Sequence, residues 1–173
     1  IEGEWDNQVG AGGFDGGTGS VILRDPAKET TIRGDTSFAT FEIQASETGK
    51  IVRFEATSVQ TIASMSVAGG TTAGESVSLL STIDGDQWFV NATEVAPSVS
   101  YVAVKDSNAT GGNQITATES FSNGNNDNWS ISPPAGATTW DGSDDTDWTN
   151  GLNWSAGAPG AGDTAVIPAD ATR

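Results

Sequence analysis

The apolar residues of this chain come in runs of four to six, usually alternating with polar ones, and each run is cut off by Gly, Asn, Asp or Pro. Runs this short leave no room for a helix of several turns, whereas alternation with a period of two suits strands that bury one face. Residues 20–23, 30–33, 38–43, 50–55, 58–62, 64–67, 76–79, 87–90, 99–104 and 114–117 read as strands. Gly34-Asp35, Gly69-Gly70 and Asp84-Gly85 punctuate them as turns. No stretch of ten residues sets apolar positions at helical spacing among strong helix formers, so the chain is expected to be all-β with almost no helix.

Composition narrows the reading. At 173 residues the chain suits one domain with a short appended segment. Only 35% of it is apolar and it holds four leucines, which points to a thin core built from strands. Seven basic residues against 23 acidic ones give a net charge of −16, which opposes binding to phosphate backbones or anionic lipid, so nucleic acid is not an expected partner. The acidic residues are spread along loops and read first as solvated surface. Without cysteine there is neither a disulfide framework nor a thiolate metal site. Without histidine the usual general base and the usual nitrogen ligand for zinc are missing. No secretion signal or membrane-spanning run is seen, so insertion into a membrane is not expected, and a chain that starts at Ile1 reads as a processed or excised part of something longer.

Spacing separates two all-β architectures. The apolar centres Ile22, Phe41, Ile62, Leu79, Tyr101 and Phe121 recur at nearly even steps along the chain. A step of about 20 positions matches one coil of a β-solenoid, a parallel β-helix-like stack whose rungs bury their inward side chains on the rungs above and below. Short Val, Ile, Ala, Thr and Ser side chains suit such an interior, because rungs about 4.8 Å apart crowd large ones. The alternative is an antiparallel β-sandwich of closely spaced hairpins. The expected body covers residues 1–131, a Pro/Gly linker 132–139, and a Trp/Asp-rich segment 140–173.

Gly16-Gly-Thr-Gly-Ser-Val-Ile-Leu23, Thr31-Ile-Arg-Gly34 and Phe38-Ala-Thr-Phe41-Glu-Ile43 resemble repeat units of large secreted bacterial surface proteins of adhesin or filament type. Val99-Ser-Tyr101-Val-Ala-Val-Lys-Asp106-Ser-Asn-Ala109 and Asn123-Gly-Asn-Asn-Asp-Asn-Trp129 share that resemblance. The segment from Trp140 to Pro168, with Trp-x-Gly, a second Trp, Asn-Trp-Ser, Gly-x-Pro and then Asp before a strand, is similar to the opening of such a unit, yet here it comes last. The resemblance implies a β-helical extracellular repeat, usually without catalytic residues.

Candidate sites follow from the side chains. Asp141, Asp144, Asp145 and Asp147 lie close together beside Gly142, and an oxygen-rich loop of this kind can wrap Ca²⁺, although the spaced Asp-x-Asp-x-Asp-Gly pattern is missing. The Asn-rich run 123–128 and Asp84-Gly-Asp86 read as turns first. Trp5, Trp88, Trp129, Trp140, Trp148 and Trp154 read as caps over the ends of a thin core, with glycan stacking as the other use of an indole face. Asn91, Asn108, Asn128 and Asn153 head sequons. Arg24, Lys28, Arg33, Lys50, Arg53, Lys105 and Arg173 are the only basic groups, and none stands in a recognisable constellation with paired carboxylates, so no enzyme is expected. No triad for an isopeptide bond is picked out around Lys28, Lys50 or Lys105.

An uncapped solenoid exposes unpaired backbone groups at both ends and invites strand addition. Thr164, Ala165, Val166 and Ile167 are the candidate donated strand, and Trp5, Trp140, Trp148 and Trp154 the side chains covering the junction. Donor and acceptor differ, so the expected partner is another copy of the same chain in a head-to-tail polymer. An extracellular filament subunit is therefore the expected role, with a glycan-binding or adhesive module as the alternative.

Overall fold

The computed structural model describes residues 3–10, 12–14, 16–27, 29–45, 49–71 and 75–167. Strand makes up 45% of it and helix 2%, so the all-β expectation holds. The strands are β1 (Glu4–Asp6), β2 (Ser20–Leu23), β3 (Thr30–Arg33), β4 (Thr36–Gln44), β5 (Ile51–Phe54), β6 (Val59–Ala68), β7 (Val77–Ser81) and β8 (Trp88–Ala92). They continue with β9 (Ser98–Ser100), β10 (Val102–Val104), β11 (Ser107–Asn108), β12 (Ile115–Thr118), β13 (Phe121–Ser122), β14 (Trp129–Ile131), β15 (Ala137–Thr139) and β16 (Thr164–Val166).

Two open sheets carry residues 4–131. One runs β1-β3-β5-β7-β10-β13; the other joins β2, β4, β6, β8, β9, β11, β12 and β14. Every ladder between named strands is parallel, which corrects the antiparallel sandwich alternative. The reason is visible at the turns. Gly34-Asp35 carries the chain from β3 in one sheet straight into β4 in the other, so these strands, adjacent in sequence, do not pair. Asp84-Gly85 likewise leads from β7 to β8 in the opposite sheet and closes no hairpin. Gly34 holds φ at +71°, and a Cβ there would stand 2.1 Å from Asn7 O, so the crossing requires glycine.

Left-handed residues make the other corners. Tyr101 (φ 53°) breaks the apolar run 99–104 into β9 and β10 and sends the two halves to different sheets. Gly85, Asp106 and Asn125 adopt φ of 86°, 55° and 54° and are tied together across the sheets' edge. Gly85 N–H donates to Asp106 Oδ2 at 3.1 Å and Asn125 Nδ2 donates to Asp106 Oδ1 at 2.7 Å. Asp and Asn tolerate this backbone region better than branched residues, which is why the Asn-rich run 123–128 serves as a corner.

The register revises the spacing argument. Ile22 pairs with Glu42, Phe41 with Met65, and Ile62 with Ala92, so the apolar centres counted along the sequence do not sit on one another. The true steps are uneven: the step from Val67 to its partner Val99 is more than twice as long as the step from Ile115 to Trp129. Connections of such unequal length average to an even step without marking partners.

Both sheets turn their alternate residues into one apolar cluster. Aromatic rings run through it: Trp5, Phe14, Phe38, Phe41, Phe54 and Trp88 follow one another at centroid distances of 3.9 to 6.5 Å. Large side chains are therefore accommodated, contrary to the expectation of an interior of short ones. Flat rings stack at about the spacing of neighbouring strands. Trp88 lies deep in this cluster and caps no end.

Candidate functional site

The segment after β14 builds its own small structure. Gly136 takes φ +76° after the turn in which Ala137 N–H donates to Pro134 O, and β15 then pairs in parallel with β16. The linker expected over 132–139 thus ends where the β-branched pair Thr138-Thr139 begins to add to a strand. Thr164, Ala165 and Val166 pair with Ala137, Thr138 and Thr139 of the same chain. The far side of β16 carries no ladder among the described residues, and neither does the far side of β1. Pro168 and the residues after it lie outside the described residues.

Trp140, Trp148 and Trp154 pack on one another. Trp140 and Trp148 stack at 6.0 Å, and Trp154 meets both edge-on at 5.1 and 4.4 Å. Trp140 and Trp154 are buried, whereas Trp148 is 45% exposed. Trp154 is thus engaged inside its own segment, and Trp148 is the exposed indole of the three. Trp5 sits at the edge of the six-stranded sheet, half-buried, with Nε1 donating to Thr36 Oγ1 at 3.3 Å. It does not meet the other three.

Asn153 organises the acidic loop, a role hidden in the sequence behind its sequon. It is fully buried in the 3-10 turn Gly151–Asn153. Its Oδ1 accepts from Asp144 N–H and Asp145 N–H at 2.9 Å, and its Nδ2 donates to Asp145 Oδ1 at 2.6 Å and Asp147 O at 3.0 Å. The carboxylates serve the loop itself. Asp141 Oδ1 accepts from Ser143 N–H, Asp144 Oδ2 from Asn150 Nδ2, and Asp147 Oδ1 from Thr149 N–H. Among the described residues no group of three acidic side chains is placed to hold a metal ion, and Asp141, Asp144, Asp145 and Asp147 are engaged in the bonds of the loop.

Donation from Asn150 Nδ2, Asp147 N–H and Asn153 Nδ2 holds the exposed Asp145 carboxyl below its ordinary range. A depressed folded-state pKa contributes stability above the ordinary carboxylate range and loses it as pH falls through the folded value. Acidification below pH about 4 is therefore expected to loosen this loop before the body, seen as a change in near-ultraviolet dichroism of the tryptophan cluster. An Asp145→Asn variant should show a flatter acid response.

The sequons fare unevenly. Asn153 is buried, and its Nδ2 has no free space for a glycan. Asn108 Nδ2 donates to Gln87 Oε1 and Asp127 Oδ2, and Asn128 Nδ2 to Ala109 O. Asn91 is half-buried against Gly111, where a Cβ would come within 2.0 Å of its Oδ1.

Arg33, Lys50, Arg53 and Lys105 are placed as structural partners, whereas Arg24 is exposed. Arg33 pairs with Glu4 and Glu55, Arg53 with Glu29 at 2.7 Å, and Lys105 with Asp84 at 2.6 Å. Lys50 is fully buried and donates to Asp25 O and Thr30 Oγ1; its burial lowers its pKa against the opposing pull of Asp25. Lys28 and Arg173 lie outside the described residues. A narrow crevice of about 140 Å³ separates Tyr101 and Phe121 of the body from Pro134, Ala137 and Thr164. No described helix is long and apolar enough to cross a membrane.

No protein-family model, curated protein or solved structure matches this chain.

Proposed function

We propose that the two sheets are faces of a β-solenoid and that the protein is a structural subunit of an extracellular filament, joined head-to-tail through β16. The parallel ladders, the two-residue crossing at Gly34-Asp35 and the aligned corners Gly85, Asp106 and Asn125 support the solenoid reading. One observation carries the assembly: each later strand adds on the same side of its sheet, so β1, first in the six-stranded sheet, and β16, later in its own two-stranded sheet, leave unlike ladder-free edges among the described residues. Unlike edges pair heterologously and propagate, where like edges would close a dimer. Backbone donors and acceptors left at such edges provide the affinity.

The test is truncation. The full chain is expected to form filaments in negative-stain images, and removal of residues 138–173 to leave a soluble monomer with an unchanged β dichroism spectrum. Filaments from the truncated protein would sink strand donation. The exposed face of Trp148 beside Asp147 and Asn150 favours a second reading, a glycan-binding module, for which saturable glycan binding by a monomer, abolished in Trp148→Ala, is the expected result.

A further inference from the structure

The crevice between the body and the tryptophan-rich segment stands on one corner of the two sheets. Ser100 pairs with Thr118 and Ala103 with Phe121, so Tyr101 and Glu119 hold the same place in successive crossings, β9 to β10 and β12 to β13. Both are left-handed, with φ of 53° and 51°. Tyr101 N–H donates to Thr118 O at 3.1 Å and Val102 N–H to Ser120 Oγ at 3.0 Å, which fixes one crossing on the other. Phe121 lies on the outer side of its sheet, because its partner Ala103 sits between the buried Val102 and Val104. Pro134, Ala137 and Thr164 form the opposite wall, held by Ala137 N–H donating to Pro134 O at 3.0 Å and Thr164 N–H to Gly136 O at 2.8 Å.

The space between these walls is about 140 Å³, well under the roughly 300–1,000 Å³ of sites for drug-sized molecules, so it admits a compact head group. Its lining selects charge. Tyr101, Phe121 and Pro134 stand around a single carboxylate, that of Glu119, which is half-buried and makes no ion pair or side-chain hydrogen bond among the described residues. An anion is opposed by Glu119 and by the net charge of −16. A neutral apolar group would cover the carboxylate without offering a donor or a counter-charge, which is costly. A calcium ion wants about six to eight oxygens, and one carboxylate falls short. An organic cation suits every part of the lining: the ring faces attract it through their quadrupole, and Glu119 supplies the opposite charge.

We propose that this crevice is a binding site for a small organic ammonium ion, with Tyr101 and Phe121 against its alkyl groups and Glu119 against its charge. The bonds that fix the corner are made by backbone groups and Ser120, so the phenol ring and the carboxylate are left to the crevice. The site does not depend on the filament reading.

The test is a titration of the whole chain with choline chloride at constant ionic strength, followed through the amide NMR signals of Tyr101, Glu119 and Phe121. Saturable shifts at these residues are expected, with dimethylbutanol, the neutral carbon isostere of choline, binding at least about tenfold more weakly. Glu119→Gln keeps the shape and removes the charge, and should weaken choline by a similar factor at unchanged far-ultraviolet dichroism. Phe121→Leu keeps apolar bulk without the ring and should weaken it as well; if that variant loses the β dichroism spectrum, Glu119→Gln decides alone. Shifts centred on Trp148 instead, equal affinity for the isostere, unchanged affinity in Glu119→Gln, or no saturable response would each overturn the site.

Discussion

Trp88→Ala is expected to lower the unfolding free energy by about 3–5 kcal/mol, the range found when a fully buried large aromatic is truncated. Trp88 is 0% exposed, lies flat on Phe54 at 3.9 Å and 12°, and donates Nε1–H to Lys105 O at 3.3 Å. Removing the indole leaves a void at the end of the aromatic run, and it also leaves Lys105 O without that donor. The strands around it are locked by ladders on both edges, β6 on one side and β11 on the other, so collapse into the void is restricted. Urea unfolding followed by far-ultraviolet dichroism measures the effect as a shift in midpoint at unchanged slope. Trp88→Phe, which keeps most of the apolar volume and loses the N–H, is expected to cost clearly less. A loss within about 0.5 kcal/mol for the alanine variant, the size of an ordinary surface change, would contradict the core position.

The second large effect is local to the tryptophan-rich segment. Asn153→Ala removes four hydrogen bonds at once and leaves the N–H groups of Asp144 and Asp145 without their acceptor. Orphaned donors in a site of this burial cost about 1–3 kcal/mol each, so the loop around Trp148 is expected to open while the two sheets stay folded. Hydrogen exchange at the amides of Asp144 and Asp145 should accelerate, and the near-ultraviolet signal of the three tryptophans should collapse, with the far-ultraviolet spectrum preserved. Asn153→Asp keeps the acceptor but sets a second anion against Asp145, so it should disrupt the loop at neutral pH and recover in part on acidification. Unchanged exchange in both variants would remove Asn153 from the centre of the loop.

Much of the secondary structure was legible in the run lengths. Residues 20–23 and 30–33 are strands with the expected bounds, because Gly19 and Pro26 bracket the first and Gly34 ends the second at a sharp crossing. Residues 58–62 and 64–67, read as two strands, fall in the single strand β6, whose ladder to β4 skips Ala63 and resumes at Ser64. Run 99–104, read as one strand, is two, because Tyr101 turns left-handed, a conformation that a tyrosine in an alternating run does not advertise. The tryptophans of the final segment were recognisable as a group needing cover. That they cover one another, and that the sequon residue Asn153 is the buried hub beneath the acidic loop, depends on contacts between residues that are not neighbours in the chain.

Composition and alternation alone determined that this chain is all-β and acidic, because those properties depend only on which residues are present and which stand next to which. The tertiary structure decided that the ladders are parallel, which strands are partners, and that Trp88 stacks inside while Trp148 faces out. Parallel partners are joined by connections of very different length, short between Ile115 and Trp129 and long between Val67 and Val99, and no periodicity survives such variation. The same pairing decided that β16 is held by β15 of its own chain, with Ile167 beside it exposed where Ile32 is buried.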